Sequence, residues 1–303
     1  MANGHVPVLL QQTLGLLAPA PGEVFLDGTV GAGGHAEKIA ERLGPTGLLV
    51  CADDDPSMLS MASERLRGFP WVRMIGSDYS DLARLREAAG GRMFDGILLD
   101  LGMSSPQLDD PSRGFSFRSD GPLDMRRDPG TGGPSAREIL RRSTERELAD
   151  IFFRFGEERY SRRIARLLVA QRQKERIERT SQLSELVKSA IPRKAWPRTI
   201  HPATRVFQAL RIAVNRELES LADFLDRFAS HLAPGGRVTV ISFHSLEDRM
   251  VKVSFRAQSS GAGKTLHVLT RKPVVPEETE IAANPRAASA KLRAARKLIQ
   301  EET

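Results

Sequence analysis

Apolar and polar positions follow two rhythms along the first hundred residues. Short apolar runs at 24–26, 48–52, 72–75 and 97–99 have the length of buried strands. Between them, 35–43, 56–66 and 82–88 repeat apolar positions at helical spacing, with Met58, Leu59, Ala62 and Leu66 on one side of the middle segment. This alternation predicts a parallel sheet with right-handed crossovers. The rhythm breaks at 103–134, a stretch rich in Ser, Asp, Gly, Pro and Arg that reads as an ordered loop. Residues 135 to about 191 are helical in pattern and basic, and 196–202 carries two prolines and reads as a boundary. A single long helix is predicted over 205–231, ended by Pro234-Gly235-Gly236, with a fifth strand at 238–243. The expectation is an α/β fold interrupted by an inserted helical domain: 1–108 and 204–303 form the α/β domain and 109–203 the insert. Near the C-terminus, 266–271 and 290–295 are predicted to pair antiparallel and close one sheet edge.

Composition narrows the class. Of 303 residues, 40% are hydrophobic, enough for a sizeable core, and no run of about 18 apolar residues suggests a transmembrane helix. The first residues lack the basic and apolar regions of a signal peptide. A single cysteine, Cys51, excludes an internal disulfide and a cysteine-based zinc site, and six scattered histidines offer no ligand spacing. The expectation is a cytoplasmic protein with no metal and no membrane partner. The net charge of +7 is unevenly placed: residues 137–198 hold 17 Lys/Arg against 9 Asp/Glu. Confined positive charge suits a polyanion such as nucleic acid; interspersed Glu157, Glu158 and Glu175 also fit helix faces laced with ion pairs.

The strand ends carry the candidate chemistry. Ligands of open parallel sheets lie beyond the carboxyl ends of the strands, and those ends are marked by Asp27, Asp53, Asp78 and Asp100. The first loop, Asp27-Gly-Thr-Val-Gly31-Ala-Gly33-Gly34-His35, is glycine-rich and leaves room for close approach of a ligand. Asp53 stands where a carboxylate accepts both hydroxyls of a ribose. Gly31-x-Gly33-x-x-Ala36 also satisfies the dinucleotide fingerprint. A pyrophosphate disfavours extra carboxylates nearby, whereas a cationic sulfonium favours them, so Asp27 and Asp100 tilt the choice from a nicotinamide cofactor to S-adenosylmethionine. Tyr79 is placed either against an adenine ring or as an ordinary half-buried aromatic.

Several longer motifs resemble one family. His5-Val6-Pro7-Val8-Leu9, the glycine loop, Asp100-Leu-Gly-Met-Ser104-Ser105-Pro106-Gln107-Leu108, Asp120-Gly-Pro-Leu-Asp124-Met-Arg126, His201-Pro-Ala-Thr-Arg205-Val-Phe-Gln208, Ser242-Phe-His244-Ser-Leu-Glu-Asp248-Arg249 and Asn284-Pro-Arg286 are similar to the ribosomal RNA small subunit methyltransferase H family, also called MraW. The resemblance implies a Rossmann-like class I methyltransferase sheet with an antiparallel C-terminal strand. It implies an S-adenosylmethionine-dependent enzyme that methylates the exocyclic amine of a cytosine in the decoding region of 16S rRNA, within the small ribosomal subunit. By position it places cofactor contacts on Gly33, Gly34, His35, Asp53, Tyr79, Asp100 and Gln107. An NAD-dependent oxidoreductase and a non-catalytic RNA-binding assembly factor are the competing readings.

For amine methylation the residues expected to act are Asp100, Ser104 and Ser105, as acceptors near the nucleophile; the serines equally suit turn chemistry. Arg113, Phe115, Phe117 and Arg118 interleave charge and rings and form a candidate stacking platform, or the two Phe anchor the loop to the core. Arg162, Arg163 and Arg166 share a helical face fit for phosphates. Arg205 joins Gln208 and Arg211 in a polar stripe. His244 is a candidate substrate contact, or packs beside a capping box made by Ser245 and Asp248.

Overall fold

The computed structural model describes residues 7–299; His5 and Val6 of the first motif lie outside them. Its α-helices in chain order are α1 (Leu10–Leu17), α2 (Gly34–Leu43), α3 (Pro56–Arg65), α4 (Leu82–Ala88), α5 (Ser105–Asp109), α6 (Ala136–Arg142), α7 (Glu145–Gly156), α8 (Ser161–Arg172), α9 (Thr180–Ala190), α10 (Thr204–Asn215), α11 (Glu217–His231), α12 (Ser245–Gln258) and α13 (Glu278–Ala283). The strands are β1 (Val24–Asp27), β2 (Leu48–Asp53), β3 (Val72–Gly76), β4 (Phe94–Asp100), β5 (Leu232–Ser242), β6 (Leu266–Val268) and β7 (Lys291–Lys297). The chain divides into two compact units. One comprises the described residues up to Gly102 and from Leu218 onward; the other is Met103–Glu217.

In the first unit the seven strands form one sheet in the order β3-β2-β1-β4-β5-β7-β6. Strands β1 to β5 pair in parallel, and β7 runs antiparallel to both β5 and β6. This is the Rossmann-like sheet anticipated from the sequence, with its antiparallel C-terminal pair. The central strands are apolar throughout because helices cover both faces. Val24 and Leu26 of β1, with Ile97 and Leu99 of β4, pack with Leu85, Phe224, Phe228 and Phe255. Phe25 and Leu98 point the other way, among Leu14, Ile39, Leu49 and Leu66. Successive side chains of a strand serve opposite faces, so a four-residue strand feeds two cores.

The second unit has its own core, in which Phe115, Met125, Leu148, Phe152, Ile164, Leu183, Phe207 and Leu210 meet. Ser135 with Glu138 and Thr144 with Glu147 cap α6 and α7 reciprocally. The range 109–203 read from the sequence lies within this unit. The stretch 103–134, expected as a loop, contains α5 and two short 3₁₀ turns and is fastened by its own polar groups. Arg113 donates through Nη2 to the carbonyls of Arg126 and Arg127 at 3.1 and 2.8 Å. Asp124 grips Arg126 with both oxygens at 2.7 Å. Asp120 accepts from the Ser181 side chain, from Arg179 and from the Ser181 amide, and these bonds hold its carboxyl down at about 2.

The single long helix expected after the insert is not formed. The helix predicted over 205–231 is two helices, α10 and α11, separated at Arg216, whose φ of 51° is left-handed. Val206, Leu210 and Val214 belong to the core of the second unit, whereas Leu221, Phe224 and Phe228 belong to that of the first. Each half keeps helical periodicity, so the break leaves no trace in the apolar spacing.

A carboxylate-lined candidate cofactor site

Parallel pairing of β1 to β4 brings their carboxyl ends, and hence Asp27, Asp53, Asp78 and Asp100, to one edge of the sheet. The glycine loop after β1 is stitched to both neighbouring strands. The Gly28 amide donates to the Leu98 carbonyl at 2.9 Å, and the Val30 amide to that of Ala52 at 2.8 Å. Thr29, which the sequence reading passed over, ties the loop to Asp100: its Oγ1 accepts from the Asp100 amide at 2.6 Å. Only its place between two motif glycines could have signalled this.

The four carboxylates differ in what they do. Asp53 accepts from the Gly31 amide through Oδ2 and from the Asp55 amide through Oδ1, both at 2.9 Å. Two backbone donors fix its orientation. Asp78 is spent within the protein, accepting from the Ser80 amide at 2.7 Å and from Ser220 Oγ at 2.8 Å. Asp27 is 1% exposed, and its carboxyl is pushed up to about 7, chiefly by burial. A hydrogen bond from the Thr29 amide opposes that rise and the Asp53 charge adds to it. Burial also pushes Asp100 well above the usual carboxylate range, with contributions from Asp27 and Glu247. Asp100 Oδ1 is buried and finds no hydrogen-bond partner among the described residues. Its Oδ2 lies 3.6 Å from His35 Nε2, in the first turn of α2.

Carboxyls whose burial and mutual repulsion raise their titration suit a cation, which favours their ionised form, and disfavour a pyrophosphate, which opposes it. The helix start fits the same ligand. Gly33 caps α2 at φ 82°, a left-handed value that glycine accommodates without strain, and no side chain occupies the cap. Gly34 lies so close to Pro7 that a Cβ would stand 2.5 Å from Pro7 Cγ. Pro7 therefore roofs the loop, which gives the N-terminal motif a task. We expect Gly34→Ala to displace that roof and weaken binding of the cofactor about tenfold, on the order of 1.4 kcal/mol. Titration calorimetry against the parent checks this, and unchanged affinity would remove Pro7 from the site.

A family model described as the MraW methylase family matches residues 2–298. The chain belongs to this family. It is 49% identical to the ribosomal RNA small subunit methyltransferase H of Anaeromyxobacter dehalogenans, over 97% of this chain and 98% of that protein. It is 48% identical to the protein of the same name from Geobacter sulfurreducens, over 98% of this chain and all of the relative. As an MraW methylase it takes its methyl group from S-adenosylmethionine. Of the residues singled out for that cofactor, Gly33, Gly34, His35, Asp53 and Asp100 stand along one sheet edge of the first unit. Tyr79 begins from the same edge, but its side chain is core: it is 5% exposed and meets Phe224 edge-on at 5.9 Å.

Ser104, Ser105 and Gln107 belong to the second unit. Gln107 is 4% exposed, and its Oε1 accepts from the Ser104 amide at 3.0 Å and from Ser104 Oγ at 3.1 Å. Ser104 and Gln107 thus form the start of α5, and turn chemistry accounts for that serine. Phe115 is buried, and Phe117 lies 4.6 Å from the His201 ring and 4.9 Å from that of Phe207. Both rings anchor the segment to the core, while Arg118 is exposed. The polar stripe of α10 is occupied internally: Arg205 reaches the Glu157 carbonyl, Gln208 that of Phe155 at 3.0 Å, and Arg211 pairs with Glu217 at 2.8 Å. Arg162, Arg163 and Arg166 are all exposed on α8, with Arg166 3.5 Å from Glu145. The cap of α12 is His244 with Glu247, one residue earlier than Ser245 with Asp248. The imidazole of His244 accepts from the Glu247 amide through Nδ1 at 3.4 Å, and its Nε2 lies 3.1 Å from Glu247 Oε1.

Proposed function

We propose that this MraW methylase transfers a methyl group from S-adenosylmethionine to the exocyclic amine of a cytosine in the decoding region of 16S rRNA. Its partner is the small ribosomal subunit and its place the cytoplasm. The supporting observation is near-complete, 49% identity with relatives named for this ribosomal RNA subunit, joined to an edge whose charge suits a sulfonium. Among the described residues no helix is long and apolar enough to cross a membrane.

The bound cofactor supplies an activated methyl group on a positively charged sulfur. The chain's own residues supply alignment, since holding reacting atoms about 3–3.5 Å apart is worth several orders of magnitude in rate. Gly33, Gly34 and the start of α2 hold one end of the cofactor. Asp53 accepts from the ribose, and Asp100 with His35 faces the charged portion. A cytosine amine is a poor nucleophile because its lone pair is delocalised into the ring, and an acceptor at Asp100 or in the segment carrying Ser104 and Ser105 restores its basic character. Gln107 supports that segment through its cap, and Tyr79 supports the edge from within the core. The target base must leave its stack to reach the site. Arg113, Phe115 and Phe117 hold the shape of their own segment in the second unit, and Arg118, Arg162, Arg163 and Arg166 offer exposed charge to phosphates; Arg205 and His244 act through the elements they fasten.

The test is transfer of labelled methyl to small subunits from cells lacking the enzyme, followed by digestion and mapping. Label is expected on one cytosine N4. Label on a ring carbon or a ribose would overturn the chemistry, and label on the large subunit alone would overturn the substrate.

A further inference from the structure

The middle segment is not the only basic stretch. Residues 249–297 hold eleven Lys/Arg against three Asp/Glu, an excess concealed in whole-chain arithmetic by acids elsewhere. The fold sorts these charges on α12. Val251 and Phe255 face the core at 1% and 2% exposure. The two acids of its first turn are drawn inward. Glu247 accepts from the Phe243 amide at 2.8 Å, and Asp248 accepts from Arg293 Nε at 2.6 Å and from Lys291 Nζ at 3.4 Å. The solvent side presents Arg249, Lys252 and Arg256 beside the exposed Val253, over about 10 Å of helix.

Topology starts α12 beside the chemistry and runs it back along the sheet, so Arg249, Lys252 and Arg256 follow one another away from that edge. Asp100 of β4 is in register with Ile241 of β5, and α12 begins four residues later, at Ser245. Strand β6 is antiparallel to β7, which is antiparallel to β5, so β6 ends at the same sheet edge. Arg271 and Lys272 follow β6 shortly afterwards, and both are exposed.

We propose that Arg249, Lys252 and Arg256 of α12, with Arg271 and Lys272, form a second phosphate-gripping surface for the RNA substrate, on the catalytic unit itself. The inference rests on the RNA reading above and extends it. The acids of α12 are withdrawn and its cations displayed, which is the charge complement of a polyanion and of no neutral partner. Anchoring the strand along α12, within about three turns of the edge that carries Asp100, limits how far the target base wanders from the methyl donor. Loss of the anchor is therefore expected to raise KM for RNA more than it lowers kcat.

The test compares three double variants of the full chain, Lys252→Gln with Arg256→Gln, Arg271→Gln with Lys272→Gln, and Arg162→Gln with Arg163→Gln in the insert. Each is titrated with unmodified small subunits and with protein-free 16S rRNA between 50 and 200 mM salt, and melting confirms that each is folded. Every phosphate contact removed is expected to shrink the salt-induced loss of affinity about threefold. Calorimetric binding of S-adenosylmethionine should be unchanged. Parental salt dependence and KM in both α12 and 271–272 variants, with a loss confined to the insert variant, would overturn the second surface alone. If no variant changes RNA binding and no methyl reaches RNA, the RNA reading itself falls and takes the proposal with it.

Discussion

Replacing Asp100 with alanine is expected to reduce methyl transfer at least about 10²-fold, the scale of losing one preorganised electrostatic group at a reacting centre. The residue combines three features. Its amide is fixed by Thr29 at 2.6 Å, which locks the backbone where β4 ends. Its Oδ1 is buried without a hydrogen-bond partner among the described residues. Burial, with Asp27 and Glu247 nearby, pushes its carboxyl well above the usual range. A buried, unmatched acceptor costs free energy in the empty protein. That cost is recovered when a cation or an amine N–H arrives, so the group is poised for a ligand. Asp100→Ala removes the poise without harming the core, and the variant should melt no lower than the parent. Asp100→Asn keeps the shape and loses the charge, so it separates hydrogen bonding from charge. Single-turnover transfer and donor titration together check this. Product formed by Asp100→Ala at the parental rate would remove the residue from the mechanism.

Asp27 gives the second large effect, and its sign follows from linkage. In the unfolded chain an aspartate titrates at its ordinary value of 3.8, whereas in the fold burial moves Asp27 to about 7. Between those values the folded state holds a proton that the unfolded state has released. Stability therefore falls as pH rises from about 4 to 7 and changes little from this source above 7. The full span is roughly 4 kcal/mol. Asp27→Asn abolishes the term, so its stability relative to the parent should grow across that window, by up to that amount at pH 8. Denaturant titrations at pH 5 and pH 8 measure it. The same group couples to the cofactor, because a cation favours the ionised carboxylate. Binding of S-adenosylmethionine should weaken in the parent as pH drops below 7 and release a proton near neutrality. Calorimetry in buffers of different ionisation enthalpy should show that proton in the parent and not in Asp27→Asn. Equal proton release in both would sink the coupling.

How much of this was legible in the sequence differs residue by residue. The strands ending in Asp27, Asp53 and Asp100 were readable because a strand covered on both faces must be apolar along its length. The antiparallel β6–β7 pair was readable from two apolar runs flanking a proline-rich connection. Asp78 was readable as a strand-end acid but not as one already satisfied, since its partner Ser220 lies 142 positions away. Phe115 and Phe117 looked as ready to stack on bases as to pack inward; the half-buried Phe117 meets the His201 and Phe207 rings, contacts that no local spacing announces. His244 displaced Ser245 as the cap of α12, a shift of one residue within a motif that suits either.

The sequence by itself determined the αβ rhythm, the carboxylates at the strand ends, the glycine loop and the family, because each is written in local spacing and residue type. Tertiary structure alone decided that α10 and α11 part at Arg216, that Pro7 roofs Gly34, that the acids of α12 turn inward while its cations turn outward, and that Asp100 keeps a buried oxygen unmatched. Those outcomes depend on which side chain meets which across tens to hundreds of residues, and the free energy of a charge or a ring is set by that neighbour and not by its place in the chain.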